Sequence, residues 1–144
     1  MRLLVTGASG FIAKNFIEYS LKSKFKIVAI SRKKRKDSNK NLKWIVGQFH
    51  KINLNRIGKF DMLVHFASHG TKPNERDNLK KNLEINVFNS KDLILKAINN
   101  KCKKFLIIGS SSEFGGVNIR TNGVKKNDFR NPDDSYGLSK LIFN

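Results

Sequence analysis

The chain begins with Met1-Arg-Leu-Leu-Val-Thr-Gly-Ala-Ser-Gly-Phe-Ile-Ala-Lys-Asn-Phe16, and this segment indicates the architecture of the whole chain. Leu3, Leu4 and Val5 form a short apolar run that ends at a glycine turn, which is typical of a buried strand. Apolar residues then recur four positions apart, as they do in a helix packed on a sheet. The segment therefore predicts a strand, a glycine turn and a helix.

The glycine turn is the first candidate binding site. Gly7 and Gly10 lie where the strand ends and the helix begins. Backbone N–H groups and the helix dipole favour an anion at such a helix N-terminus, and glycine lets a pyrophosphate come close to the backbone. We interpret the turn as a dinucleotide-binding loop. The alternative is a strand–helix turn that needs glycine for its geometry alone.

Length and composition limit the class of protein. The chain has 144 residues and 39% hydrophobic residues, enough for one domain with a core. Cys102 is the single cysteine, which excludes an internal disulfide and a cysteine-based zinc cluster, and we expect no metal site. No apolar run approaches the ~18–20 residues of a membrane helix, and no secretion signal precedes the first strand. We therefore expect a cytoplasmic protein without membrane contact.

The strong positive charge raises the question of nucleic acid. The formal net charge is +18, but the lysines are scattered through nearly every segment. The one dense run, Arg32-Lys-Lys-Arg-Lys36, has no interleaved aromatic residues, and no helix-turn-helix or zinc pattern is present. We expect no specific nucleic-acid partner, while nonspecific binding to polyanions at low salt is compatible with the charge.

The rest of the chain continues the alternation of strands and helices. Further apolar runs of strand length lie at residues 25–30, 42–46, 62–66 and 104–109. Helical periodicity covers residues 11–23 and 79–99 and begins again at residue 136. This alternation predicts an α/β fold with a doubly wound parallel sheet. Dinucleotide-binding sheets of this kind usually have six strands, so we expect the sheet to be truncated after the fifth strand and the start of the next helix.

The end of the second strand is where the adenine ribose should lie. An acidic residue there would bind the ribose hydroxyls, but this chain has Ser31 followed by Arg32 and two lysines. A guanidinium with neighbouring ammonium groups suits a 2′-phosphate, which favours NADP over NAD. A solvated basic loop without a ligand is the alternative, and NAD stays open as the cofactor.

Histidine and small residues mark the end of the fourth strand. His65 and His69 have no carboxylate partner at a telling spacing, so we expect both to be structural. Ala67 and Ser68 are small, and small residues at the carboxyl end of a strand let a cofactor lie against the backbone.

Tyr136 and Lys140 are the candidate chemical groups. They are four positions apart on a predicted helix, so their side chains share one face. A free tyrosine is a poor base at neutral pH, but a nearby ammonium and a cationic nicotinamide favour the phenolate. A hydroxyl from the end of the fifth strand can complete the site. A tyrosine and a lysine at this spacing most often lie on a helix surface without a catalytic role. Here a catalytic role is favoured, because the pair follows the fifth strand of a dinucleotide-binding pattern.

Five motifs in chain order resemble those of the extended short-chain dehydrogenases, specifically the NAD-dependent epimerase/dehydratase group that acts on nucleotide sugars. The resemblance covers the whole chain and implies a Rossmann-like NAD(P)-binding fold. The motifs are Thr6-Gly-Ala-Ser-Gly-Phe-Ile-Ala13, Val64-His-Phe-Ala67, Asn86-Val87, Ile107-Ile-Gly-Ser-Ser-Ser-Glu-Phe-Gly115 and Tyr136-Gly-Leu-Ser-Lys140.

The resemblance implies roles by position. Ser110 matches the catalytic serine or threonine, Tyr136 the acid/base, and Lys140 the lysine that binds the nicotinamide ribose, so that the last two also bind the cofactor. The other cofactor positions follow the path of the dinucleotide from pyrophosphate to adenine to nicotinamide. They are Gly7, Ser9, Gly10, Phe11 and Ile12, then Ser31, Arg32, Gln48 and Phe49, then Phe66, Ala67 and Ser68. The implied partners are a nucleotide-sugar substrate and, for the full-length enzyme, a second copy in a homodimer.

Some residues depart from the family pattern. Ala13 replaces the third glycine, which the loop tolerates, and Gln48 stands where an aspartate is usual. Ser111 and Ser112 occupy the positions of the acid and base carboxylates of the dehydratases, and Glu113 comes one position too late. The pattern therefore favours epimerisation or keto-reduction over 4,6-dehydration.

The length departs most from the pattern, because family members continue far beyond this point. We expect residues 1–144 to form an incomplete N-terminal NAD(P)-binding domain, with the C-terminal substrate-binding lobe absent. We favour a fragment of an NAD(P)-dependent nucleotide-sugar epimerase or keto-reductase. The alternative is a non-catalytic chain that only binds the dinucleotide.

Overall fold

The structure, a computed structural model, describes residues 1–33, 35, 39–115, 123–125 and 127–144. Contacts between residues divide the chain into two units. The sheet unit contains Met1–Ala67 and Asp92–Ile108, and the helical unit contains Ser68–Lys91 and Gly109–Asn144.

The sheet unit is built on five parallel strands. They are β1 (Arg2–Thr6), β2 (Lys26–Ser31), β3 (Leu42–Val46), β4 (Met62–His65) and β5 (Lys104–Ile107), in the order β3-β2-β1-β4-β5. The chain steps outward from β1 to β3 and then returns to the other side of β1. The strand order thus reverses beside β1, and parallel α/β sheets bind ligands at such a reversal. The predicted doubly wound parallel sheet is confirmed.

The core of the sheet unit begins at the N-terminal segment. Leu3, Leu4 and Val5 in β1 are fully buried, as predicted from their apolar run. Helix α1 (Phe11–Lys22) buries Ala13 and Ile17 in the apolar cluster formed with the strands. Successive side chains of a strand point to opposite faces, so the burial of Leu3, Leu4 and Val5 shows that both faces of β1 are covered, which is why its sequence is continuously apolar rather than alternating.

The helical unit contains a long helical run, a short turn and the last helix. The run consists of α2 (Leu79–Asn82), a π-helical segment (Leu83–Phe88) and α3 (Asn89–Asn99), whose first residues belong to this unit. The turn is a 3-10 helix over Ser111–Phe114. Helix α4 is Ser135–Phe143. No helix among the residues that the structure describes is long and apolar enough to span a membrane.

The π-helical segment is the main difference from the single regular helix predicted at residues 79–99. A π turn holds one more residue than an α turn, and such turns often occur at functional sites. In this chain it carries Asn86, which is buried at its centre. The sequence predicts one continuous helix because apolar residues recur at helical spacing both within and after this segment.

Candidate functional site

The glycine turn of the sheet unit requires glycine for a steric reason. Gly7 has a φ of +63°, and a Cβ atom there would lie 2.5 Å from the backbone nitrogen of Ala67 and 2.7 Å from the carbonyl carbon of Phe66. The turn is closed by a 2.9 Å hydrogen bond from the Gly10 N–H to the Gly7 carbonyl. Gly7 therefore lets the β1 turn lie directly against the end of β4.

The first turn of α1 presents its backbone to solvent. Gly10 is the N-cap and offers no side chain to the N–H groups of that turn. Ser9 is exposed, and Phe11 and Ile12 keep 85% and 59% of their surface accessible. Uncapped N–H groups at a helix N-terminus can bind an anion, so the arrangement fits the pyrophosphate role expected for these residues.

The residues expected near the adenosine lie in different environments. Ser31 is buried at the end of β2, and its hydroxyl oxygen accepts a hydrogen bond from the Lys33 N–H at 3.2 Å. Arg32 and Gln48 are exposed. Phe49 is buried, with its ring centroid 5.0 Å from that of His65. Their roles toward the adenosine stay predictions.

The end of β4 is held by packing and by one polar contact. His65 is buried, and its Nδ1 atom lies 2.6 Å from the Thr6 hydroxyl oxygen, in agreement with the structural role expected for it. Phe66 packs its ring against Phe16 of α1, with 5.4 Å between the ring centroids. Of the residues predicted to lie along the dinucleotide, the structure brings Gly7, Phe66 and Ala67 together.

The three candidate chemical residues all lie in the helical unit. Ser110 is the N-cap of the 3-10 turn, where its hydroxyl oxygen accepts a hydrogen bond from the Ser112 N–H at 3.2 Å. Tyr136 and Lys140 are both buried on α4, which packs against that turn. Gly137 makes the close packing possible, because a Cβ atom there would overlap the carbonyl of Ser112.

Asn86 ties the loop after β4 to α4. Its Nδ2 donates hydrogen bonds to the Ser139 hydroxyl at 2.9 Å and to the His69 carbonyl at 3.0 Å. Its Oδ1 accepts hydrogen bonds from the His69 N–H at 2.8 Å and from the Ser68 hydroxyl at 3.2 Å. The amide thus uses both of its polar atoms, and the residues after β4 are fixed relative to α4.

Arg76 is a residue that the sequence analysis missed. Its guanidinium pairs with Asp134 at 2.5 Å, donates to the Ser112 hydroxyl at 2.8 Å and lies 5.0 Å from the ring centroid of Tyr136. The Arg76 carbonyl also accepts the backbone N–H of Tyr136 at 3.0 Å. These contacts hold the start of α4 against the serine turn. No local signal reveals them, because the side-chain partners lie 36 and 58 positions away in the sequence.

The environment of Lys140 changes its proton affinity. Burial lowers the pKa of Lys140 from its ordinary 10.5, because a charged amine is less stable away from water. The nearby charge of Glu113 opposes this effect without cancelling it. A lysine with a lowered pKa exchanges a proton more readily near neutral pH than a solvated one does.

Asp134 makes the start of α4 sensitive to acid. Burial alone would raise its pKa, but hydrogen bonds from the Gly137 N–H and from Arg76, with the Arg76 charge, lower the pKa below the ordinary 3.8. A carboxyl group whose pKa is lower in the folded chain stabilises the fold above its unfolded pKa. This stabilisation is lost as the pH falls through the folded pKa.

We expect Asp134→Asn to lower stability at neutral pH and to have a smaller effect in acid. Asparagine still accepts the capping hydrogen bond of Gly137, so the substitution removes mainly the charge that pairs with Arg76. Thermal unfolding of both proteins, from neutral pH to below 3.8, measures the difference. A difference that stays constant over this range would show that the Asp134 charge does not stabilise the fold.

Comparisons with known proteins identify the family of this chain and solved structures with the same fold. The model of the NAD dependent epimerase/dehydratase family matches residues 3–144. MoeE5, solved in complex with UDP-glucuronic acid and NAD, is 27% identical with a TM-score of 0.82, and the match covers 98% of this chain and 46% of that one. Bordetella bronchiseptica WbmG in complex with NAD is 25% identical with a TM-score of 0.81, covering 98% and 47% of the two chains.

A further solved structure with the same fold is the UDP-glucuronic acid 4-epimerase of Bacillus cereus in complex with NAD. It is 23% identical with a TM-score of 0.80, and the match covers 98% of this chain and 49% of that one. The chain therefore spans about half the length of these proteins. A search of curated proteins found no match.

Proposed function

Because the chain belongs to the NAD dependent epimerase/dehydratase family, we propose that it carries the NAD-binding and proton-transfer residues of a nucleotide-sugar epimerase or keto-reductase. Residues 1–144 would form the NAD-binding domain. The observation that carries the proposal is the packing of α4 on the serine turn, which groups the buried Tyr136 and Lys140 with Ser110 in one unit.

We propose NAD as the cofactor. MoeE5, WbmG and the Bacillus cereus epimerase were all solved as complexes with NAD. The sequence-based preference for NADP has no such support. It relied on the charge next to Ser31, whose hydroxyl is engaged by a backbone N–H, and on the exposed Arg32. Gly7, Gly10 and the first turn of α1 would bind the pyrophosphate.

A nucleotide sugar is the proposed substrate class. MoeE5 was solved with UDP-glucuronic acid, and the Bacillus cereus protein is a UDP-glucuronic acid 4-epimerase. Ser111 and Ser112 supply hydroxyl groups where a dehydratase would have carboxylates. The residues of the serine turn therefore support epimerisation or keto-reduction rather than dehydration.

The chain's own residues would move the proton. Bound NAD would supply hydride transfer from the sugar carbon and back to it. The Tyr136 phenolate oxygen would take the proton of the hydroxyl on that carbon, so that the carbonyl forms as the hydride leaves. Lys140 would stabilise the phenolate through its positive charge. Ser110 would donate a hydrogen bond to the same substrate oxygen and orient it.

We expect Tyr136→Phe to lower turnover by about 10²–10⁴-fold, because phenylalanine keeps the ring but cannot exchange a proton. The measurement is conversion of UDP-glucuronic acid in the presence of NAD, followed by chromatography, together with calorimetric NAD binding. Turnover by the wild-type chain that is lost in the variant would support the enzyme.

The alternative is a non-catalytic dinucleotide-binding chain. It is favoured by one observation, the match to only 46–49% of the solved proteins' length. NAD binding without conversion, equal in the wild-type chain and the Tyr136→Phe variant, would favour this alternative. Turnover that survives Tyr136→Phe would contradict the proposed role of Tyr136.

A further inference from the structure

Glu113 is a buried carboxylate for which the proposed chemistry has no role. Only 4% of its surface is accessible, although it lies in the same 3-10 turn that Ser110 begins. A carboxylate is stable away from water only when charges and hydrogen bonds compensate for the lost hydration. The groups that contact Glu113 therefore show which parts of the unit its charge interacts with.

The two carboxylate oxygens of Glu113 have different partners. One oxygen accepts hydrogen bonds from the Ser110 N–H at 2.8 Å and from the Asn144 Nδ2 at 2.6 Å. The other accepts from the Arg130 guanidinium at 3.3 Å. Glu113 thus connects the backbone of the candidate catalytic serine with the residue that comes directly after α4.

Asn144 lies on the same face of the last helix as Lys140. It comes four residues later, and its N–H donates to the Lys140 carbonyl at 3.1 Å, as in a continuing helix. Gly109 leaves room for the contact, because a Cβ atom there would lie 3.2 Å from both Glu113 Oε1 and Asn144 Nδ2. Glu113 therefore approaches the helix face that carries Lys140.

The charge of Glu113 acts on the buried Lys140. It is 5% accessible, and while burial lowers its pKa, the Glu113 charge acts in the opposite direction. The other described charged groups near α4 are paired or exposed. Arg76 pairs with Asp134. The remaining ones on α2 and the π-helical segment are exposed: Lys80, Lys81 and Glu84.

We propose that Glu113 is a positioning residue that acts on two candidate catalytic residues at once. It fixes the backbone of Ser110 by accepting its N–H, and through Asn144 its negative charge is held beside the helix face that carries Lys140. This proposal rests on the proposed function, in which Ser110 orients the substrate and the Lys140 charge supports the Tyr136 phenolate.

The test is the titration of Lys140 in a Glu113→Gln variant of the full chain. Glutamine has nearly the same shape, and its Oε1 can still accept from Ser110 and Asn144, so the charge and the contact with Arg130 are lost. NMR of ¹³C-lysine-labelled protein follows the titration, and the Lys140 signal is identified by its absence in Lys140→Met. We expect the midpoint of Lys140 to fall in Glu113→Gln, because the negative charge that favours the ammonium is removed. Glu84→Gln removes an exposed carboxylate of the same unit and should leave the midpoint unchanged.

A second variant keeps the test decisive if Glu113→Gln does not fold. Arg130→Gln replaces a partly exposed side chain and removes the cation that pairs with Glu113. The carboxylate would then act on Lys140 without a competing positive charge, and the midpoint should rise. An unchanged Lys140 midpoint in folded Glu113→Gln, or in Arg130→Gln, would overturn the proposal. Failure of the proposed function appears separately, as absence of NAD binding by the wild-type chain, since the titration needs no NAD.

Discussion

Gly7→Ala is expected to lower the free energy of unfolding by about 2–5 kcal/mol, from about 1–2 kcal/mol of left-handed backbone strain and about 1–3 kcal/mol of steric overlap. The overlap is unusually direct, because the atoms that a Cβ would meet belong to the backbone of Phe66 and Ala67 and cannot rotate away. We also expect NAD binding to be lost, since relief of the overlap must move the turn that would bind the pyrophosphate. Urea unfolding and calorimetry measure the two effects.

Gly123→Ala is the matched control for this substitution. Gly123 has a φ of +68°, close to the +63° of Gly7, but a Cβ atom there meets no atom of the described part of the chain within 4 Å. Gly123→Ala introduces the backbone strain but no steric overlap, so it should lower the free energy of unfolding by about 1–2 kcal/mol. If both variants lost the same free energy of unfolding, the close contact between the glycine turn and the end of β4 would not contribute to the effect of Gly7→Ala.

Asn86→Ala should have the second largest effect, a loss of about 3 kcal/mol in the free energy of unfolding. Four hydrogen bonds end on the Asn86 amide, and its removal leaves their partners in the loop after β4 and on α4 without the amide. Each buried polar group left without a partner costs about 1–3 kcal/mol, and relaxation and water recover part of the total. Urea unfolding measures the loss.

Asn89→Ala provides the comparison within the same helical run. The Asn89 Nδ2 atom is buried and makes no hydrogen bond to any residue that the structure describes. Its removal loses packing but also removes a buried group without a described partner, so Asn89→Ala should destabilise the fold far less than Asn86→Ala, or stabilise it. If Asn86→Ala were as mild as Asn89→Ala, the Asn86 amide would not be holding the loop to α4.

The sequence alone was sufficient for most of the fold. The apolar run of Leu3, Leu4 and Val5 predicts a strand covered on all sides, and β1 lies between β2 and β4 in the centre of the sheet. Gly7 marks the strand-to-helix turn correctly because its conformation and the nearby backbone both exclude a side chain. These features depend on the local sequence and on the burial of a central strand, so the pattern of apolar residues and glycines predicts them.

The polar part of the candidate site could be predicted only in part. Ser110, Tyr136 and Lys140 were found through motifs, and the structure groups them in one unit. Arg76 and Glu113 were not given roles, because their partners Asp134 and Asn144 are distant in sequence. The residues next to Arg76 and Glu113 in the sequence do not indicate these contacts. The preference for NADP rested on the charges that follow Ser31 in the sequence, and the solved structures support NAD instead.

The most direct test of the proposed NAD site is a calorimetric titration of the wild-type 144-residue chain with NAD and with NADP. The site predicts saturable binding of NAD, weaker binding of NADP, and no binding of either by Gly7→Ala. If neither dinucleotide binds the folded wild-type chain, or if only NADP binds, the proposed NAD site is contradicted.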